Sequence, residues 1–254
     1  MRQFTICLKK EWTESIKSYK FLLIVSVFCL FGLLNVFTAK FTPQIISLVV
    51  SEELASVIPQ PILSDIWIQF FKNVGQIGIL LVLIIYSSTL TYEYEKGTLI
   101  LPITKGLSRW KILIFKWLIA IIVFTIGYLL SSGITFIYGL IYFSYEPIEH
   151  LILALGLLWL FTVLFITIML FASVMINQTS GVFFIMGLFF LAMMLLNVVP
   201  RIRAFNPVNL SLWPTPLIQQ DISVLDTIQP IVVTLILIIL LIYTSITQFN
   251  KKSL

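Results

Sequence analysis

The segment YEYEKGTLILPITKGLSRWKILIFK, residues 92–116, decides how the chain is laid out. It is the only long charged interruption in a very apolar sequence. Five basic residues (Lys96, Lys105, Arg109, Lys111, Lys116) and two acidic ones (Glu93, Glu95) fall within it. Gly97, Pro102 and Gly106 break regular helix. The short apolar run Thr98–Leu101 lies between those breakers. On either side stands a stretch long enough to cross a bilayer. The segment therefore reads as a loop with a short surface helix, built to be gripped by a soluble partner. The plainer alternative is a basic loop whose charges only fix topology.

Composition supports that frame. The chain has 254 residues, of which 59% are hydrophobic and 11% charged, with mean hydropathy +1.07. Soluble domains carry roughly a quarter charged residues, so the fold class is all-α integral membrane. A net charge of +5 could suit nucleic acid. The cations instead flank the apolar stretches, so no nucleic-acid partner is expected. Cys7 and Cys29 fall on one continuous helical reading and cannot pair. The first 20 residues are charged along their length, which does not fit a cleavable signal peptide.

Residues 1–20 read as an amphipathic interfacial helix. Phe4, Leu8, Trp12 and Ile16 form an apolar ridge at four-residue spacing, with Lys9, Lys10, Glu14 and Lys17 on other faces. Residues 21–254 form a single six-helix transmembrane domain, with spans at about 21–39, 65–92, 112–143, 151–176, 182–199 and 230–249. Span one is 19 residues without charge, enough for about 28 Å of helix. Lys40–Ser64 reads as an outer loop, and Ser64 as the N-cap of span two. Lys72 and Asn73 lie about two turns into that span. An ionisable residue there is a candidate for the substrate path, and the alternative for Lys72 is snorkelling. Lys116 is counted with the loop, which leaves Lys72 as the one charge inside a span. Gly127, Gly133 and Gly139 read as packing glycines. His150 reads as polar edge. Pro200–Gln229 suits an interfacial or partly re-entrant segment.

Charge sets the orientation. With both termini inside, 12 of the 16 Lys and Arg fall inside: five in the N-terminal segment, five in the 92–116 loop and two at the tail. Lys40, Lys72, Arg201 and Arg203 fall outside. The positive-inside rule selects N-in, C-in.

The same loop carries a resemblance. Glu93, Gly97-Thr98, Ser108-Arg109 and Lys116 resemble the first cytoplasmic loop of permease subunits of the ABC-2 exporter family, which shows a Glu, a Gly-Thr, a Pro with Ser-Arg, and a Lys at similar spacing. This chain departs at one point. The family Pro sits just before the Ser-Arg, whereas here Lys105-Gly106-Leu107 holds that place and Pro102 comes earlier. The resemblance implies an N-terminal elbow helix and a cytoplasmic coupling helix between spans two and three. The ATPase-coupling residues it implies are Glu93, Glu95, Gly97, Thr98, Leu99, Ile100, Leu101, Ser108 and Arg109. Glu93 and Glu95 are expected to meet basic residues of the partner, and Lys105 and Arg109 acidic ones or lipid.

Absent motifs narrow the function. The sequence has no G-x-x-x-x-G-K-[ST] phosphate loop. It shows no HExxH and no aspartate pair in the spans, so no catalytic constellation is visible. Spans without carboxylates disfavour an ion-coupled carrier. The expectation is a permease subunit that moves a hydrophobic or amphipathic substrate outward across a bacterial cytoplasmic membrane, driven by a separate ATPase. The resemblance implies cytoplasmic ABC ATPase subunits, with ATP and Mg on those chains, and a second permease subunit, identical or homologous. Cytotoxic or antimicrobial peptides are the expected cargo, phenol-soluble modulin exporters being one example. The alternative is a polytopic sensor or scaffold that recruits a cytoplasmic protein through the 92–116 loop.

Overall fold

The computed structural model describes residues 2–49, 61–99, 104, 107–144 and 146–252. Among these residues it is helical throughout, with six helices long and apolar enough to cross a membrane. A short helix α1 (Arg2–Lys17) precedes α2 (Lys20–Val49). Next come α3 (Leu63–Asn73), one π turn (Val74–Gly78) and α4 (Ile79–Glu95), which together form one crossing of 33 residues. The third, fourth and fifth crossings are α5 (Arg109–Tyr142), α6 (Leu151–Met175) and α7 (Thr179–Asn197). Three short helices, α8 (Pro200–Arg203), α9 (Asn209–Leu212) and α10 (Pro214–Ile218), lead into α11 (Ile228–Lys251). The chain therefore has the build of a multi-pass membrane protein. α1 and the end of α11 lie at one end of the bundle, because each touches the first half of α5.

The helices differ in how deeply they are set. The crossings formed by α3–α4, α5 and α6 are 50–61% buried within the chain, against 33% for α2, 22% for α11 and 17% for α7. The first three therefore make the core. α6 is apolar all round and mostly buried from Leu157 to Val174, as an interior helix must be. Polar side chains stitch it to α5. Trp117 Nε1 donates to Thr167 Oγ1 and Trp159 Nε1 donates to Thr125 Oγ1, both at 2.9 Å. The Tyr128 hydroxyl donates to the Leu155 carbonyl at 2.9 Å. In an apolar surround each such group needs a partner inside the protein. Edge-to-face rings fill the space between α2, α3 and α5: Phe28 on Phe124 at 5.9 Å and Phe70 on Tyr128 at 5.5 Å.

Several boundaries differ from the sequence reading. α2 runs on to Val49 through Pro43, so the expected outer loop begins later, and residues 50–60 of it lie outside the described residues. Ser64 is not the N-cap. That position is Ile62, and Asp65 reaches back so that its Oδ2 accepts from the Ile62 amide at 2.9 Å. Arg109, not Ile112, opens the third crossing, which puts Lys116 two turns inside a helix. The Pro200–Gln229 segment tucks α9 and α10 against α6. Leu210 and Leu217 are fully buried there, and Asn206 donates to the Met193 carbonyl at 2.6 Å.

Close approach between α2 and α5 depends on Gly32, which the sequence reading did not single out. A Cβ there would stand 2.9 Å from both the Ser131 carbonyl oxygen and the Ile134 Cβ. Gly127 and Gly139 face packed side chains, whereas a Cβ at Gly133 would meet open space. Gly32→Leu should therefore cost about 1–3 kcal/mol by overpacking. It should lower the detergent melting temperature, while Gly133→Ala leaves it unchanged.

Candidate functional site

The polar stripe of α1 faces into the bundle. Cys7, Glu11 and Ser15, four residues apart, are buried, whereas Ile16 of the expected apolar ridge is 47% exposed. Leu8 and Trp12 are half-buried, and the side chain of Phe4 lies outside the description. The reason is what the stripe meets. Lys116 on α5 is 4% exposed, and its ammonium lies 3.0 Å from Glu11 Oε2 and 2.9 Å from Glu93 Oε1. Lys10 closes the group, 3.2 Å from Glu11, 3.5 Å from Glu93 and 3.8 Å from Glu14. An ammonium buried alone in an apolar helix pair would be prohibitive. α1 supplies the counter-charge, and that fixes which face it turns inward.

The carboxylate oxygens of Glu11, Glu14 and Glu93 lie within 4.8 Å of one another, close enough to chelate a cation. Lys116 and Lys10 already neutralise that position. Burial tends to lower the Lys10 pKa, but Glu11 and Glu93 outweigh it and raise the value above the usual lysine range. Its contribution to stability is therefore complete below the unfolded lysine pKa and is lost only as pH rises through the raised value. Around this group Ser15 Oγ lies 3.1 Å from the Tyr86 hydroxyl, and Lys20 donates to Thr89 Oγ1 at 2.7 Å. Four elements are thereby tied together: α1, α2, α4 and α5.

The 92–116 segment begins at this joint. α4 ends at Glu95, and Gly97 takes φ +63 beyond it. The Gly97 amide donates to the Tyr94 carbonyl and the Thr98 amide to the Glu93 carbonyl, both at 3.1 Å. That pair of bonds is a Schellman cap, which needs a residue free to adopt the left-handed region. Glu95, Lys96 and Thr98 are exposed, whereas Leu99 is 1% exposed. Leu99 packs with Leu90, Ile112, Leu113, Leu170, Val174 and Phe249. Ile100 and Leu101 lie outside the described residues, as do Pro102, Lys105 and Gly106.

The far end of the segment is latched to the chain's last helix. Ser108 is the N-cap of α5 in extended backbone, with its hydroxyl buried. Arg109 Nη1 donates to the carbonyls of Phe249, at 3.4 Å, and of Lys252. A cation at a helix C-terminus meets both the unpaired carbonyls and the negative end of the dipole. Lys252 in turn donates to the Val174 carbonyl at 2.7 Å and to Asn177 Oδ1. Glu93 and Arg109 were expected to face a partner. Both are engaged inside the chain, Glu93 with Lys116 and Arg109 with the end of α11.

The two substrate-path candidates part company at the π turn. Asn73 Nδ2 donates to Asn35 Oδ1 on α2 at 2.7 Å, so it faces a neighbouring helix. Lys72 faces a cleft of about 650 Å³ between the second crossing, α6, α7 and the α9–α10 segment. Phe71, Leu83, Phe165, Phe190 and Met194 line it, with Gln76, Ser211 and Thr215 as polar groups. A π turn between Lys72 and α4 rotates the side chains that follow it, and such turns recur at functional sites. The sequence signal for the charged joint was present but unread: Glu11 lies between Cys7 and Ser15 at four-residue spacing, a polar stripe on a helix beside a span containing Lys116.

Lys116→Met should leave Glu11 and Glu93 facing each other with only the half-exposed Lys10 as counter-charge. Breaking a buried pair from one side costs about 3–5 kcal/mol. Glu93→Gln should cost less, because Glu11 still neutralises Lys116. Detergent melting should rank the two variants in that order, and limited proteolysis should show α1 released first in Lys116→Met. No protein-family profile matches this chain, and no curated protein matches it in sequence.

Proposed function

We propose that the chain is the membrane subunit of an ATP-driven exporter of the ABC-2 class. It moves a hydrophobic or amphipathic cargo, with amphipathic peptides as the expected class, outward across the cytoplasmic membrane. Both termini and the 92–116 segment face the cytoplasm, and α1 acts as the elbow helix. The energy comes from a separate ATPase that docks on that segment, and a second permease subunit completes the path.

The observation that carries this reading is the joint itself. The 92–116 segment is capped at Gly97, pinned through Glu93 and Lys116 to α1, and latched through Arg109 to the end of α11. A partner that displaces it therefore displaces α1 and three crossings together. The second crossing runs as one helix from the joint at Glu93 to Lys72 at the cleft, about 30 Å away at 1.5 Å per residue. Motion at one end reaches the other as a rigid-body shift. The docking face falls to the exposed residues Glu95, Lys96 and Thr98. Leu99 supports them from beneath, and Ile100 and Leu101 extend the segment.

The test is affinity purification of the tagged chain from its native membrane under mild detergent, assayed for ATP hydrolysis. Wild type should carry ATPase activity with it. The double variant Lys96→Glu, Thr98→Asp changes only exposed side chains, so it should keep the wild-type melting temperature and lose most of that activity. A wild-type chain that purifies with no ATPase, or a double variant that retains it fully, overturns the reading.

A further inference from the structure

We propose that the cleft between the second crossing, α6 and α7 is a binding site for an anionic membrane lipid, with one acyl chain in the apolar part and the headgroup anion on Lys72. The starting point is Lys72 itself. Three other lysines of the crossing helices have partners within the chain: Lys20 with Thr89, Lys40 over the Tyr142 ring at 3.9 Å, and Lys116 with two glutamates. Among the described residues Lys72 has no hydrogen-bond, ion-pair or ring partner. It lies nine residues into α3, about 14 Å from that helix's start at 1.5 Å per residue. Its side chain is exposed onto the cleft, and an ammonium that far along a crossing, among apolar walls, calls for an anion.

The walls say what the rest of the ligand is. Among the described residues Lys72 is the only charged one that lines the cleft, and no carboxylate does. Gln76 and Thr215 can donate to a phosphodiester or glycerol oxygen, whereas the Ser211 hydroxyl donates to the Val208 carbonyl at 2.8 Å. The remaining lining is aliphatic and aromatic, and Leu80, Phe183 and Phe190 on its rim are exposed. A tail from the surrounding lipid can therefore enter sideways. Volume separates a lipid from a peptide. A helix about 10 Å across rises 1.5 Å per residue, so 650 Å³ would hold only about five of its residues. The cleft accommodates a single chain far better than a helical peptide.

This site does not depend on the exporter reading, because binding needs no ATPase. The experiment is native mass spectrometry of the detergent-solubilised full chain, titrated with lysophosphatidylglycerol and with lysophosphatidylcholine of the same acyl length. Wild type should bind the anionic probe about tenfold more tightly, the scale of one charge-assisted contact. Lys72→Gln should bring the two probes level, and Lys72→Arg should keep the preference. A Cβ at Gly187 on the cleft wall meets nothing within 4 Å. Gly187→Trp should therefore fill the cleft without disturbing the fold, and abolish binding of both probes. Retained anion preference in Lys72→Gln overturns the headgroup assignment. Undiminished binding in Gly187→Trp, with a wild-type melting temperature, overturns the site.

Discussion

Lys116 sets the constraint that the rest of the terminal end answers to. Its ammonium is buried on a helix of the bundle core, where an unpaired charge is untenable. One carboxylate comes from the second crossing, at Glu93, and the other has to come from elsewhere. α1 brings Glu11 to it, with Lys10 and Glu14 behind. Removing these charges from water offsets much of their mutual attraction. The effect is thus on arrangement more than on net stability. Any placement of α1 that moves Glu11 away leaves Lys116 with Glu93 as its one carboxylate partner. The Tyr19 linker allows the turn into α2 by adopting φ 59, a conformation unusual for a residue with a Cβ.

The same pairing explains how the two described ends of the 92–116 segment are fixed. Glu93 is at once a counter-charge to Lys116 and the carbonyl that closes the Schellman cap through Thr98. Arg109 anchors the segment's other end on carbonyls that α11 cannot satisfy within itself. Side-chain and backbone bonds therefore work on one short stretch from both sides. Leu99 then seals the space between them against Leu113 and Phe249.

Hydropathy made the six crossings legible, because each is a long run whose apolar character does not depend on what packs against it. Their ends were less so. Arg109 and Lys116 read as loop charges in any local window, yet each is satisfied by a residue distant in sequence. Lys116 meets Glu11 across 105 positions, and Arg109 meets Phe249 across 140. No spacing rule reveals such pairs. The inward face of α1 was not legible for the same reason. Its apolar ridge is real, but the deciding term is the buried charge that its polar stripe must meet. Asn73 was hidden likewise, since Asn35 pairs with it from another helix. Gly97 was readable because the left-handed cap is a local property of one residue.

Exposed apolar surface carries a different meaning in this chain than on a soluble protein. α7 shows Phe184, Leu188, Leu191 and Leu195, and α11 shows Ile236, Ile239, Leu240 and Tyr243. In water such faces would demand a partner. In lipid they have no hydrophobic drive to associate, because acyl chains are as apolar as leucine. Those faces alone therefore argue for neither a second subunit nor a monomer. What discriminates in a bilayer is polarity. A charge or a hydrogen-bonding group turned away from water must have a reason, and nearly all those described here find one inside the chain. Lys72, exposed partway along the second crossing, has none among the described residues, and it opens onto a cleft shaped for something apolar. The physical chemistry that makes Lys116 bind α1 makes Lys72 a place for a ligand.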